Sequence, residues 1–236
     1  MHENGQARCL AQLIYEEKKH MITDQLAKYY ATIAQQYERV YDKPERQEDL
    51  EVLRDKVADV LEGHTVLELA CGTGYWTEVV AETAASVLAT DLNDEMLALA
   101  QARGLTDNVS FAKLDAFKLP DDLLGKFTAV FAGFWWSHVK REDQEKYLKQ
   151  LRSKLGKDIL LVLIDNSYVD GSSTVIARTD LQGNTHQFRT TDAGERYEVL
   201  KNFPSDSHLR KKFAHSAREI RMKRMEYYWL LSCRLK

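Results

Sequence analysis

Two glycines spaced two apart, Gly72 and Gly74, close the segment Val66-Leu-Glu-Leu-Ala-Cys-Gly-Thr-Gly74, where an apolar run gives way to a helix-compatible one. Without a Cβ the chain can turn sharply there, and a bound molecule can come close to the backbone amides. Asp91 follows near the ~20-residue offset at which an acidic side chain takes ribose hydroxyls in sheets of alternating strands and helices. Glu68 and Asp115 place further carboxylates at the ends of apolar runs. A lone glycine pair is weak; Glu68, the pair, Asp91 and Asp115 at successive strand ends form a specific set. A dinucleotide fingerprint would want a third glycine where Thr77 stands, and would not ask for Glu68. A second constellation is Ala132-Gly-Phe-Trp-Trp-Ser-His-Val139. Its aromatic faces can stabilise a cation and hold a flat molecule, and His138 has an ordinary pKa suited to general-base work near neutrality.

The elements that must position these residues follow from periodicity. Leu26, Tyr29, Tyr30, Ile33, Tyr37 and Tyr41 recur at helical spacing, predicting one helix from Asp24 to Tyr41. A second helix follows Pro44 and ends at Gly63. Strands are then predicted at Thr65–Ala70, Ser86–Thr90, Val109–Leu114, Phe127–Ala132 and Ile159–Ile164, with helices between them. Asn93 can cap one of these, and Leu148, Leu151 and Leu155 give another its apolar stripe. Such alternation implies a parallel sheet covered on both faces. Residues 165–203 read instead as an antiparallel meander. A helix from Pro204 to about Ala214 and strands at Ala217–Glu226 and Tyr228–Leu235 end the chain. Residues 1–20 read as a helical extension or leader.

The chain has 236 residues, Lys+Arg 33 against Asp+Glu 36, and a formal net charge of -3. Near-neutral charge gives no global reason to expect nucleic acid as a partner. The densest apolar run, Ile159 to Ile164, is far short of a membrane helix. Cys9, Cys71 and Cys233 form no CxxC pair, which argues against a disulfide frame or zinc ribbon and suits a cytoplasmic protein. Cys71 reads as a small buried residue.

On these residues the segment resembles motif I of the class I S-adenosylmethionine (SAM)-dependent methyltransferases. Its pattern E/D-x-G/A-x-G-x-G is met by Glu68, Ala70, Gly72 and Gly74. The resemblance covers about residues 25–164 and, in topology, the carboxy-terminal strand pair. It implies an α/β fold with a Rossmann-like seven-stranded sheet, an antiparallel last strand, amino-terminal capping helices and a small antiparallel insert after strand five. It also implies SAM as cofactor and S-adenosylhomocysteine (SAH) as product. In that family Asp91 matches the ribose-binding acid. Leu92 and Met96 cover the adenine face, while Asp115 reads the adenine amino group. Ala116 and Phe117 complete that pocket, and Tyr30 and Tyr37 close over the cofactor. Gly133 and Phe134, after strand four, are further expected cofactor contacts.

The segment after strand four lacks the Asn/Asp-Pro-Pro-aromatic motif of enzymes that methylate base amino groups or glutamine amides. Asp165-Asn166 meets one condition of the metal-dependent catechol-type enzymes, but Gly133-Phe134 fails the other, so no metal is expected. Trp135 and Trp136 are candidates for holding the acceptor, with Tyr168, Arg178, His186 and Arg189 of the meander. His138 is the candidate catalytic base, with a packing role as its rival. The expected domains are a methyltransferase domain over 21–236, divided into a cofactor core (62–164), a lid or insert (165–203) and a carboxy-terminal helix and strand pair (204–236). The expected partner is a small, aromatic or heteroaromatic acceptor, with no nucleic acid and no membrane, on a monomer or homodimer. The alternatives are an RNA or protein methyltransferase using the basic stretch Arg210–Arg224, a non-catalytic SAM-binding module, and a nicotinamide enzyme.

Overall fold

In the main sheet the strand order reverses between the first and fourth strands, and that reversal opens the crevice where the site lies. The computed structural model describes residues 25–236; the expectations for residues 1–20 lie outside them. A helix α1 (25–33) runs into a 3-10 helix, Ala34–Tyr41, and a short 3-10 turn, Pro44–Arg46, leads into α2 (Gln47–Leu61). The core alternates β1 (Thr65–Leu69), α3 (Tyr75–Ala81), β2 (Ser86–Asp91), α4 (Asp94–Ala102), β3 (Val109–Lys113), β4 (Ala129–Gly133), α5 (Gln144–Leu155) and β5 (Leu160–Asn166). The meander supplies β6 (Arg178–Thr179), β7 (Thr185–Thr190) and β8 (Arg196–Leu200). The chain ends in α6 (Asp206–Phe213), β9 (Ala217–Arg224) and β10 (Tyr228–Leu235). The seven-stranded sheet has the order β3-β2-β1-β4-β5-β10-β9, and β6-β7-β8 form a separate antiparallel sheet. Strands β1 to β5 are parallel, and β10 runs antiparallel to both β5 and β9.

Side-chain alternation along the strands feeds two cores. Val66 packs with Leu53, Val57, Val79 and Val80 on one face, while Leu67 packs with Leu148, Leu151 and Trp229 on the other. Tyr228 and Trp229 divide in the same way.

The expected single helix over Asp24–Tyr41 is corrected: within the described residues it tightens to 3-10 winding after Ile33. An eight-residue 3-10 run is unusual, and tertiary contacts accompany it. Tyr41 stacks on Tyr75 at 4.1 Å between ring centroids, and Tyr37 lies over the turn at Gly72. Three of the seven cations in the basic stretch are ion-paired within the chain: Arg218 with Asp158 and Glu219, Arg224 with Asp206, Lys212 with Glu145. On β9, at the sheet edge, these charges discourage pairing with another strand. Among the described residues no helix is long and apolar enough to cross a membrane.

Gly74 has φ +83, and a Cβ there would lie 3.0 Å from Ala100 Cβ and 3.1 Å from Ala100 Cα. Gly63 has φ +69 with nothing within 4 Å. Both pay left-handed strain on substitution, but only Gly74 would also force α3 from α4. Gly74→Ala should therefore cost about 1–3 kcal/mol more than Gly63→Ala in denaturant unfolding. Equal costs would show that close helix packing is not what requires a glycine at 74.

Candidate functional site

The site is assembled at the carboxyl ends of β1, β2 and β4. After β1 the backbone turns through Ala70 (φ 55), Gly72 (φ 58) and Gly74 (φ 83). Asp91, at the end of β2, holds that turn: one carboxylate oxygen accepts from Gly72 N at 2.9 Å, and the other from Asn93 N at 2.9 Å. Burial pushes the Asp91 pKa up, and these amides oppose the shift. Asn93 precedes α4, but its side chain makes no capping hydrogen bond. Glu68 is fully enclosed; burial pushes its pKa up to about 8, and its Oε2 has no hydrogen-bond partner.

A first cavity opens on this turn. Ala70, Gly72, Asp91, Leu92 and Met96 line one side. Asp115, Ala116 and Phe117 line another, where Asp115 accepts from Phe117 N at 2.9 Å. Gly133, Phe134, Trp135 and His138 close the β4 end, and Tyr30 and Tyr37 cover the top. Glu68 lies in a small adjoining cavity with Cys71, Thr73 and Trp76. Gly74 lines neither; its place is the contact between α3 and α4. Sequence reasoning missed Leu26, Ala27, Asn93 and Leu114 as lining residues. In the sequence Leu26 belongs to a helical apolar stripe, Leu114 ends the predicted third strand, and Asn93 reads as a cap.

A second cavity, of about 340 Å3, lies beyond Tyr30, Tyr37 and Phe134, which line both. The meander covers it with Gln187, Phe188, Arg189 and Thr190. Lys43, Arg46 and Lys201 line it too, and none of these three carried a signal, because lysine and arginine read as solvated by default. Lys201 is buried and binds Asp165 at 2.7 Å. Asp165 also accepts from Ser137 N and Asn166 N, so the Asp165-Asn166 pair closes a structural network.

Several expected acceptor contacts lie elsewhere. Trp136, expected to hold the acceptor, is 1% exposed and packs against Phe213 at 5.1 Å, because the 3-10 turn Trp136–His138 points it into the core while Trp135 faces the first cavity. Arg178 and His186 line neither cavity: Arg178 pairs with Glu198, and His186 approaches Asp180 and Glu198. Period-two alternation puts His186 on the face of β7 opposite Gln187 and Arg189. Tyr168 lines neither and lies edge-on to Phe203.

His138 is buried with both ring nitrogens engaged. Nδ1 lies 2.5 Å from the Leu200 carbonyl, which can only accept, so Nδ1 carries the proton. Nε2 therefore accepts from the Tyr30 hydroxyl at 2.9 Å. Burial, helped by Lys201 and Arg189, holds the His138 pKa well below its usual value, so the ring is neutral at pH 7. The arrangement fixes Tyr30 and leaves no free nitrogen facing either cavity.

Residues 66–158 match a family described as a methyltransferase domain. A DhpI–SAH complex is 26% identical with TM-score 0.73, the match covering 92% of this chain and 98% of that one. A DhpI–SAM–HEP complex is 25% identical with TM-score 0.73, covering 90% and 97%. The chain carries a class I SAM-dependent methyltransferase domain. The [4+2]-cyclase SpnF, 16% identical with TM-score 0.61 over 89% of this chain and 95% of that one, shares the fold. No curated protein sequence matches.

The methyltransferase's residues fit SAM. Glu68 Oε2 is a buried acceptor without a donor, as an amino-acid end would supply. A Cβ built on Gly72 would lie 3.8 Å from Tyr37, inside the space that a ligand against the turn would use. One consequence is measurable without ligand. With a pKa of about 8 folded against 4.5 as the ordinary value, Glu68 keeps a proton that the unfolded chain releases. Stability should therefore fall as pH rises through that window, by up to about 1.4 kcal/mol per pH unit for one proton. The lowered His138 pKa acts chiefly at and below its usual value of 6.5, and comparison with Glu68→Gln separates Glu68 from the other shifted groups, such as Lys201. Calorimetric melts should show Glu68→Gln losing less stability than the parent between about pH 6.5 and 8; parallel losses would place the proton elsewhere.

Proposed function

We propose that the protein transfers a methyl group from SAM in the first cavity to a small molecule in the second. The shared wall of Tyr30, Tyr37 and Phe134 carries this reading: two ligand-sized spaces meet there, one of them against the methyltransferase turn. A volume of about 340 Å3 is in the range of small-molecule sites. When bound, SAM supplies a methyl group activated on a sulfonium.

The residues do the rest. Asp91, held by Gly72 N and Asn93 N, presents its remaining lone pairs to the ribose hydroxyls. Leu92, Met96, Ala116 and Phe117 line the part of the cavity that would enclose the adenine, and Asp115 would accept from its amino group. Glu68, at the adjoining cavity, would take the amino group of the amino-acid end through its unpartnered Oε2. Tyr30, Tyr37 and Phe134 surround the reacting centre, where aromatic faces favour positive charge and exclude water. In-line displacement asks chiefly for alignment, so His138 serves as a positioning residue that fixes Tyr30. The small sheet β6-β7-β8 acts as the lid. The aromatic or heteroaromatic body expected of the acceptor is supported by Tyr29, Phe188, Phe203 and Tyr228 in the second cavity rather than by Trp136.

Methyl-deuterated SAM, incubated with cell extract fractionated into metabolites, RNA and protein, tests the reading. Label should enter the metabolite fraction and be absent with Asp91→Ala, which should bind SAH about 1.5–3 kcal/mol more weakly. Label in RNA or protein would overturn the small-molecule acceptor. SAH affinity unchanged by Asp91→Ala would overturn the cofactor site.

A further inference from the structure

The second cavity has an unbalanced charge. Lys43, Arg46, Arg189 and Lys201 line it, and among the described residues no aspartate or glutamate does. Lys201 is offset by Asp165 at 2.7 Å. The others have no carboxylate at ion-pair distance among the described residues. Lys43 donates to the Ser172 carbonyl at 2.5 Å, and Arg46, itself buried, donates to the same carbonyl at 3.0 Å and to Ser172 Oγ. Exposed Glu45 accepts from Ser172 Oγ and feels Lys43 and Arg46 only at longer range, from the solvent side. Arg189 donates to Gln187 at 3.1 Å and lies over the Tyr29 ring, and its Nε is buried without a partner. Cations enclosed together without counter-charge are costly, and a guanidinium with an unused N–H suits an oxyanion.

Among the described residues the same site holds no free base. Both nitrogens of His138 are engaged, and Asp165 is bound by Lys201, Ser137 N and Asn166 N. Burial raises the hydroxyl pKa of Tyr30 to about 12 and that of Tyr37 further, so both stay protonated. An alcohol or amine acceptor would have to lose a proton to a group the cavity does not offer.

Building on the methyl-transfer reading above, we infer that the acceptor is a small acid seated among Lys43, Arg46 and Arg189, and that its ionised oxygen takes the methyl group. That oxygen supplies the electron pair of the new C–O bond. The C–S bond breaks, its pair stays on sulfur, and no proton is released. The product is a methyl ester carrying one negative charge less than the acceptor. A carboxylate and a phosphoryl or phosphonyl group share this chemistry.

Calorimetric titration of the SAH-saturated protein with inorganic phosphate, and separately with benzoate, tests the anion site. At least one should bind saturably, about tenfold or more weakly in Arg189→Gln, and with most affinity kept in Arg189→Lys. SAH affinity should be equal in all three proteins, which also reports that each is folded. In the labelling experiment the product should elute from an anion exchanger with one negative charge fewer than its acceptor. Mild alkali should release the label from a carboxylic ester and leave it on a phosphoryl or phosphonyl ester. Normal SAH binding with neither anion bound, anion binding unaffected by Arg189→Gln, or a labelled product of unchanged charge would each overturn the acid acceptor and leave methyl transfer standing. Failure of SAH to bind would overturn the methyl-transfer reading and the acid with it.

Discussion

A buried ion pair ties this structure together. Lys201 and Asp165 meet at 2.7 Å with almost no solvent access, and Asp165 also takes the amides of Ser137 and Asn166. One carboxylate thus joins the end of β5, the turn after β4 and the strand that leaves the small sheet. The neighbouring residues reinforce the joint: Leu200 accepts from His138, and Asn202 N donates to Ser137 O at 2.9 Å. Breaking such a pair by removing one partner typically costs 3–5 kcal/mol, because the other charge is left buried alone. The covering sheet is therefore fastened to the scaffold at the β4 turn, where both cavities end.

The cofactor side rests on a different device. Asp91 fastens the glycine turn to the start of α4 through two amides, so the turn keeps its shape while the carboxylate stays oriented. The parallel strands bring Glu68, Asp91 and Gly133 to one edge of the sheet. The reversal between β1 and β4 leaves the gap into which they point.

Much of this was legible because it is periodic or local. Strand–helix alternation, the turn chemistry of Gly72 and the offset of Asp91 are readable along the chain, and most residues named from them line one cavity. Tertiary choices were not readable. Trp135 and Trp136 are adjacent and chemically alike, yet a single 3-10 turn sends one to the cavity and the other to the core. Gly74 belongs to the same motif as Gly72, but its constraint comes from Ala100, a residue of another helix. Arg189 and His186 sit three apart on one strand and on opposite faces, so naming the meander could not say which would face inward. Lys43, Arg46 and Lys201 look like solvated surface until the fold encloses them.

The two ligand spaces are also written in different parts of the chain. Ala70, Gly72, Asp91, Asp115 and their neighbours fall within residues 66–158, the stretch that matches the methyltransferase domain. Tyr30, Tyr37, Lys43, Arg46, Arg189 and Lys201 fall before or after it. Only Phe134 among the shared wall residues lies inside. Mutation can thus reshape the second cavity in the two flanking segments while the strand ends that line the first stay as they are. Divergence in what such a protein modifies is separable, along the gene itself, from preservation of what it modifies with.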